Sequence, residues 1–368
     1  VSSKRVLASL GSSSSGDITC RRDLARSMLS RTLLAAASAA RFRTVRCSSS
    51  LAAPTIVNGL SSIVDNYDAI LLDQFGVLHD GKKPLPGAVD CYEKLAASGK
   101  KLVVLSNTSR RRAFAVSKLP VIGFDDKALL GFVTSGEAAH AHIAEHHQGE
   151  RMLWISWDDN FHAWDPTYLN GLDVTLADAA TCDFVLLQGS QCLRDGASVA
   201  DAGIFQSGEL NAVTLAALRT CAERNIEVIC ANPDLYVTLP DGTRGYMPCC
   251  IANEYEALGG RIKYFGKPYL PAFEAALKLL GPDVDPSRVL HCGDSLMHDI
   301  AGANAAGIHS LFVAGGIHAE ALGIPDAGAP PASAEQQPSG AELTPEALSR
   351  LFDELDIRPT LSVASFVW

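Results

Sequence analysis

The chain has 368 residues, enough for two globular domains with a sizeable buried core. Its formal net charge of −10 argues against a nucleic-acid or anionic-membrane surface, but it leaves open an anionic substrate, because local cations and a metal can set the field inside a pocket. No run approaches the roughly 18 apolar residues that a membrane helix needs. We therefore expect neither nucleic acid nor membrane as a partner.

Residues 1–53 differ in composition from the rest of the chain. From Met28 they are rich in Arg, Ser, Ala and Leu, and no acidic residue stands between Asp23 and Asp65. Such a leader is typical of an organelle transit peptide, which predicts a mitochondrial or plastid location. A disordered tail is the alternative, and the location would be cytoplasmic if the leader is an artefact of the gene model. We exclude this segment from the fold prediction.

After residue 54 the sequence has an α/β rhythm. Short apolar runs at 68–72 and 101–105 are typical of buried parallel strands, and helical patterns at 88–98 and 110–119 follow them. Strand, loop, helix and strand in this succession predict a doubly wound parallel sheet.

A second set of elements occupies the middle of the chain. Strands are predicted at 131–134, 151–156, 184–188 and 226–230, helices at 210–224 and 251–258, and a turn at 240–242. These elements are sufficient for an inserted α/β domain over residues 130–258.

The first pattern then resumes towards the end of the chain. The predicted elements are strands at 262–265, 288–292 and 310–313, helices at 271–280, 299–306 and 343–355, and a loop rich in Ala, Pro and Gly at 323–341. The sequence therefore predicts one core, formed by residues 55–129 and 259–368, that is interrupted by the inserted domain.

Polar residues follow several of these core strands. Asp73, Ser106 and Asp294 each come just after a strand, and Lys267 comes shortly after another. Ligands bind outside the carboxyl ends of such strands. A carboxylate can attack phosphorus, Mg²⁺ takes one or two carboxylates plus a substrate phosphate, and a hydroxyl and a lysine can hold phosphoryl oxygens. Each residue alone could be a turn or a helix cap, but together they indicate phosphoryl transfer.

Five motifs in this region resemble the haloacid dehalogenase (HAD) superfamily. They are DQFGVLHDG at 73–81, VVLSNTS at 103–109, NPD at 232–234, GKP at 266–268 and GDSLMHDI at 293–300. Their order, with a large insert between the second and third, resembles class IIA, the NagD-like and pyridoxal-phosphate-phosphatase-like group. YFGKPY and GGIHAEAL further resemble its sugar-phosphatase-like branch.

The resemblance implies a Rossmann-like HAD core, an inserted C2-type cap domain, Mg²⁺ as cofactor and a small phosphorylated metabolite as substrate. It leaves open a homodimer formed through the cap. It also implies the metal site: Asp73 would be both nucleophile and ligand, Phe75 would lend its backbone carbonyl, Asp294 would be a further ligand, and Asp299 would orient metal-bound waters or Lys267.

Phosphoryl and substrate contacts are implied in the same way. Ser106 and Asn107 would bind the phosphoryl group, and Lys267 would balance charge between Asp73 and the phosphate. Further residues expected beside the substrate are Gly76, Thr108, Asn232 and Asp234.

Position 75 departs from the family pattern. The usual motif is DxD, in which the second Asp protonates the leaving oxygen and later activates water, whereas this chain has Phe75. General acid–base help is worth roughly 10²–10⁴-fold in rate. The protein could hydrolyse good leaving groups such as acyl phosphates, use His79 or Asp80 as a replacement acid, or bind a phosphorylated ligand without turnover. His79 and His291 are otherwise interpreted as structural, and we recognise no histidine pair at metal-ligand spacing.

Overall fold

A computed structural model describes residues 53–239, 243–324 and 342–368. Residues 1–52 of the predicted leader, the turn at 240–242 and residues 325–341 of the predicted loop lie outside the described residues, so what the sequence predicts there stays a prediction. Within the described ranges, no helix is long and apolar enough to cross a membrane.

The structure describes fifteen strands and ten α-helices. The strands are β1 (Ala69–Leu72), β2 (Lys101–Ser106), β3 (Gly131–Thr134), β4 (Glu150–Ser156), β5 (Val174–Leu176), β6 (Phe184–Leu187), β7 (Cys192–Arg194), β8 (Val199–Asp201), β9 (Glu227–Cys230), β10 (Tyr236–Thr238), β11 (Arg244–Tyr246), β12 (Arg261–Tyr264), β13 (Val289–Gly293), β14 (His309–Val313) and β15 (Leu361–Val363). The α-helices are α1 (Ala88–Ala97), α2 (Arg112–Lys118), α3 (Ser135–His146), α4 (Ile204–Ser207), α5 (Ala212–Glu223), α6 (Pro248–Ala257), α7 (Leu270–Leu280), α8 (Ala301–Ala306), α9 (Ala319–Leu322) and α10 (Pro345–Leu355).

The first sheet has six strands in the order β15-β14-β13-β1-β2-β3, all parallel. Its centre is β1, whose four residues are fully buried. Ile70 and Leu72 pack into one apolar cluster with α1 and α2, whereas Ala69 and Leu71 pack into another with α7 and α8. Because side chains alternate along a strand, each face of the sheet needs its own helical layer. The predicted α/β, doubly wound parallel sheet is confirmed.

The second sheet runs in the order β12-β9-β6-β4-β7-β8, with β5 also beside β4. Strands β12, β9, β6, β4 and β5 are parallel to one another. Strand β7 pairs antiparallel with β4, and β8 pairs antiparallel with β7. Helices α5 and α6 cover one face, and α3 covers the other. Strands β10 and β11 form a separate antiparallel pair. This sheet supplies the inserted α/β layer that the sequence predicted.

Two strands at the predicted junctions belong to the other sheet. Strand β3, which the sequence placed in the inserted domain, pairs with β2 of the first sheet. Strand β12, which it placed in the core, pairs with β9 of the second sheet. Both are four-residue edge strands, and such short runs do not encode which neighbour they pair with. Sheet membership thus differs from the predicted segments by one strand at each junction, and the domain boundaries at 130 and 258 stay predictions.

Candidate active site

Three loops of the candidate site leave the same edge of the first sheet. Asp73 follows β1, Ser106 ends β2, and Asp294 follows β13. The backbone N–H of Asp73 donates to the Cys292 carbonyl at 2.9 Å, which fixes the start of its loop against β13. Parallel pairing places Leu72 opposite Val104 and Cys292, so these residues come together as the sequence predicted.

Lys267 is the cation at the centre of the site. It is only 1% exposed, and its Nζ lies 2.6 Å from Asp73 Oδ1 and 2.7 Å from Asp299 Oδ1. Burial alone would lower the pKa of this ammonium, but the charges of Asp299 and Asp73 outweigh that effect and raise it. Lys267 is therefore a permanent positive charge that holds the Asp73 carboxylate in place.

Asp299 has every oxygen engaged within the protein. Besides Lys267, Oδ1 accepts from His291 Nε2 at 2.8 Å, and Oδ2 accepts from the Ser295 backbone N–H at 3.0 Å. Burial alone would raise the pKa of Asp299, but Lys267 and His291 lower it. Gly293 makes room for it, since a Cβ there would lie 2.1 Å from Asp299 Cγ. Of the two roles expected for Asp299, the geometry supports orienting Lys267.

The carboxylate of Asp294 packs closely against two glycines, Gly76 and Gly316. Its Oδ2 accepts from the Ile317 N–H at 2.8 Å. A Cβ at Gly76 would come within 2.0 Å of this oxygen, and one at Gly316 within 2.1 Å. Gly76 also has φ +79°, a region that favours glycine. Gly76 therefore lies beside Asp294, and its predicted contact with substrate stays a prediction.

The carboxylates fit a divalent cation. Asp73, Asp294 and Asp299 each offer an oxygen, and these atoms all lie within 4.8 Å of one another. Burial and the charge of Asp299 raise the pKa of Asp73 to about 7, and burial with the charge of Asp73 raises that of Asp294 well above its usual range. A bound cation would relieve this repulsion. Among the described residues no hydrogen bond reaches the Phe75 carbonyl, which leaves that oxygen free as a ligand.

Asn107 connects the site to the inserted layer. Its amide Nδ2 donates to Asp234 Oδ1 at 2.8 Å and to the Lys267 carbonyl at 3.1 Å, and its Oδ1 accepts from the Lys267 N–H at 2.7 Å. Gly266, at φ +111°, allows this approach, because a Cβ there would lie 2.5 Å from Asn107 Oδ1. The side chain thus positions the Lys267 backbone, which leaves the predicted phosphoryl contact to the backbone of Asn107.

Ser106 and Thr108 form the rest of this loop. Ser106 Oγ accepts from the Thr108 N–H at 3.2 Å, so its hydroxyl proton remains able to donate to a ligand. The Thr108 carbonyl accepts from Ser135 Oγ at 3.0 Å and from the Gly136 N–H at 3.1 Å. The start of α3 therefore fixes the loop that carries Ser106.

The Asn232–Asp234 loop follows β9 of the second sheet and reaches the same place. Asn232 Oδ1 accepts from the Asp234 N–H at 2.9 Å, which makes a tight turn. His298, which sequence reasoning missed, lies between the two layers: its Nε2 is 3.1 Å from the Pro233 carbonyl and its Nδ1 is 3.7 Å from Asp234 Oδ1. Its position between Asp294 and Asp299 in GDSLMHDI was the available signal.

Phe75 brings no acid to the site, and the ring packs locally. A Cβ at Gly81 would lie 2.9 Å from Phe75 Cε2, and the His79 ring lies edge-on with centroids 6.1 Å apart. His79 Nδ1 accepts from the Gly81 N–H at 3.0 Å, and burial with the nearby Arg110 charge lowers the pKa of His79 to about 4. The ring is therefore neutral at neutral pH and poorly suited to replace the missing acid.

Asp80, the other predicted replacement, shapes the turn. Its Oδ1 accepts from the backbone N–H groups of Lys82 and Lys83, both at 2.9 Å. Its Oδ2 is buried and finds no hydrogen-bond partner in the ranges 53–239, 243–324 and 342–368. Of the two candidate replacement acids, Asp80 therefore keeps one carboxylate oxygen that the turn does not use.

Comparison with known proteins agrees with this geometry. Residues 70–163 match a family model described as haloacid dehalogenase-like hydrolase, and residues 264–334 match a second one described as HAD-hydrolase-like. D-glycerol 3-phosphate phosphatase of Mycobacterium tuberculosis is 27% identical over 262 residues, which are 70% of this chain and 66% of that protein. Human Chronophin is 25% identical over 70% of this chain and 84% of its own length.

A solved structure shows the same overall architecture. A haloacid dehalogenase-like hydrolase from Brucella suis superposes with a TM-score of 0.64 at 26% identity, covering 85% of this chain and all of that one. The ordered motifs, the parallel core sheet and these matches together place the chain in the haloacid dehalogenase-like hydrolases, in their class IIA, NagD-like phosphatase group.

Proposed function

We propose that this protein is a Mg²⁺-dependent phosphatase that transfers the phosphoryl group of a small phosphorylated metabolite first to Asp73 and then to water. One observation carries the proposal: Lys267 Nζ is held 2.6 Å from Asp73 Oδ1 and 2.7 Å from Asp299 Oδ1, with Asp294 in the same carboxylate cluster. A nucleophilic carboxylate fixed by a buried cation beside a cation site suits phosphoryl transfer.

The chemistry divides into two steps. An oxygen of Asp73 attacks phosphorus, an O–P bond forms, and the bond to the leaving oxygen breaks with its electron pair. A water molecule then attacks the phosphorus of the aspartyl-phosphate and the O–P bond to Asp73 breaks. Inorganic phosphate leaves with both protons of the water, and the Asp73 carboxylate is regenerated. Lys267 orients Asp73 throughout, and the Ser106 hydroxyl donates a hydrogen bond to a phosphoryl oxygen.

The metal would be held by Asp73, Asp294 and the carbonyl of Phe75. When bound, Mg²⁺ supplies positive charge that offsets the charge on the transferred phosphoryl group. Oxygen ligands with two carboxylates are the set that Mg²⁺ prefers, which supports this ion over a softer metal.

The substrate class rests on the relatives. The mycobacterial relative is named for D-glycerol 3-phosphate, a small phosphate monoester. We expect the untagged full-length chain to release inorganic phosphate from at least one member of a metabolite panel that includes sugar phosphates, glycerol phosphates, pyridoxal phosphate and acetyl phosphate. Release should need Mg²⁺ and stop with EDTA. Metal-independent release would contradict the proposal.

A second candidate function has one observation in its favour. Phe75 provides no acid, and of the two nearest replacements His79 is neutral and Asp80 is tied to a turn. The protein would then bind a phosphorylated ligand as a regulatory or binding protein. Saturable binding of a panel member without release of phosphate would favour this function.

The Phe75→Asp variant should distinguish the phosphatase function from the binding function. If the missing acid limits turnover, the variant should raise kcat for alkyl phosphates, by up to about 10²–10⁴-fold, and leave acetyl phosphate nearly unchanged, because an acyl phosphate needs no protonation to leave. Phe75→Asn is the matched control, since it has a similar size and no titratable proton. An equal gain in both variants, or no gain on alkyl phosphates, would show that the acid is not the limiting defect.

A further inference from the structure

A cluster of two histidines and one glutamate lies on the second sheet. His142 belongs to α3, His147 follows that helix, and Glu227 begins β9. Each offers one donor atom, and the three atoms lie within 4.8 Å of one another. Sequence reasoning recognised no histidine pair at metal-ligand spacing, because it did not predict α3 and so could not show which side chains share a face of that helix.

His142 has an unused nitrogen in this cluster. Its Nε2 is buried and has no hydrogen-bond partner within the described part of the chain. A buried polar atom without a partner costs free energy, so such an atom needs an explanation. Burial, together with Lys263, His146 and His147, lowers the pKa of His142 to about 4, so the imidazole is neutral at neutral pH. A neutral imidazole is the form that binds metals.

His147 is oriented by a carboxylate. Its Nδ1 lies 2.7 Å from Glu150 Oε2, and because an ionised carboxylate only accepts hydrogen bonds, Nδ1 carries the proton. Nε2 is then the ring nitrogen that can offer a lone pair to a metal. The ring also packs against Phe184, with centroids 4.5 Å apart. A carboxylate that fixes the tautomer of a histidine is the usual outer partner of a metal-binding imidazole.

The cluster is separate from the candidate active site. Glu227 starts β9, and Asn232 lies five residues further on, about 16 Å away along an extended strand. Lys263, the cation nearest to His142, is exposed, so solvent and salt weaken its repulsion of a bound cation. None of the three residues takes part in the steps proposed for Asp73.

We propose that His142, His147 and Glu227 bind a divalent transition metal, with Zn²⁺ as the ion that their two nitrogens and one oxygen suit best. Two imidazoles, a carboxylate and a water molecule complete a tetrahedron. Donor atoms around a tetrahedral ion at about 2.1 Å lie about 3.4 Å apart, so atoms already within 4.8 Å need only small side-chain movements. The ion would fasten the end of α3 to β9.

The test is a Zn²⁺ titration of untagged full-length chain against a chromophoric chelator, with thermal unfolding followed in parallel. All variants carry Asp294→Asn, which disables the carboxylate cluster near Asp73. We expect one Zn²⁺ per chain with higher affinity than any other site, and a higher Tm when it is bound. Glu227→Gln and His142→Ala should each remove this site, and Glu150→Gln should weaken it by about 10- to 100-fold.

Glu223→Gln is the matched control for Glu227→Gln, since it makes the same change at an exposed residue of α5. It should leave the Zn²⁺ stoichiometry and affinity unchanged. Because the variants are compared for bound Zn²⁺ at equal folded fraction, partial unfolding does not mimic loss of the site. The proposal is overturned if the chain that carries only Asp294→Asn binds Zn²⁺ no more tightly than the chains that also carry Glu227→Gln or His142→Ala.

Discussion

Asp73→Asn should abolish steady phosphate release, with a loss in kcat on the order of 10⁶-fold, as when the nucleophile of a hydrolase is removed. The amide keeps the size of the side chain but cannot form the aspartyl-phosphate. The fold should persist, because burial and the charge of Asp299 already raise the pKa of Asp73 to about 7, and a neutral side chain relieves that repulsion. Lys267 keeps its second partner, Asp299, at 2.7 Å.

Initial rates of phosphate release and acid-quench trapping of phosphorylated protein are the two measurements. Asp90→Asn is the matched control, since Asp90 is exposed on α1 and pairs with Lys94 at 2.8 Å. It should match the wild type in both assays. If Asp73→Asn releases phosphate as fast as the wild type, Asp73 is not the nucleophile. If the wild type is labelled once on Asp73 without further release, the binding function is favoured instead.

The parts of the fold that the sequence predicted well are those with strong local signals. Strands β1, β2 and β13 are mostly apolar, and they are buried apart from Lys101 at the start of β2. Each leads into a polar residue of the site. Parallel strands in one sheet bring their carboxyl ends to one edge, so the meeting of Asp73 with Asp294 follows from the pattern alone.

Helix α3 was missed because its buried side carries only one large apolar residue, Ile143. The buried positions are Ser135, Gly136, Ala139, His140 and Ile143, which recur at helical spacing but mostly with small or polar side chains. A scan for apolar periodicity does not register them. The available signal was the capping sequence at its start: Thr134 Oγ1 accepts from the Glu137 N–H at 3.0 Å, and Thr-x-x-Glu is a helix-start pattern.

Side-chain roles could be predicted only in part. That Lys267 meets Asp73 follows from the motif order, whereas the pairing of Asn107 with Asp234 depends on how the second sheet contacts the first. No local pattern reports that contact, since 127 residues separate the two side chains. The same holds for His298, whose two ring nitrogens reach residues of both layers.

Lys267→Met should lower the free energy of unfolding by about 3–5 kcal/mol, the cost of leaving buried charges without their partner. Both Asp73 and Asp299 lose their contact with Nζ, at 2.6 Å and 2.7 Å. Methionine retains most of the volume, so a cavity does not account for the loss. Urea denaturation with and without Mg²⁺ measures the effect. Part of the loss should be recovered when Mg²⁺ is present, because a bound cation compensates the Asp73 carboxylate.

Lys278→Met is the matched control, since Lys278 is exposed in the last turn of α7 and contributes at most about 1 kcal/mol there. Lys267→Met should also remove phosphate release, because Asp73 is no longer held for attack. An unfolding free energy equal to that of Lys278→Met would mean that the buried carboxylates take up protons at little cost. Lys267 would then be needed for the chemistry at Asp73 and not for the stability of the site.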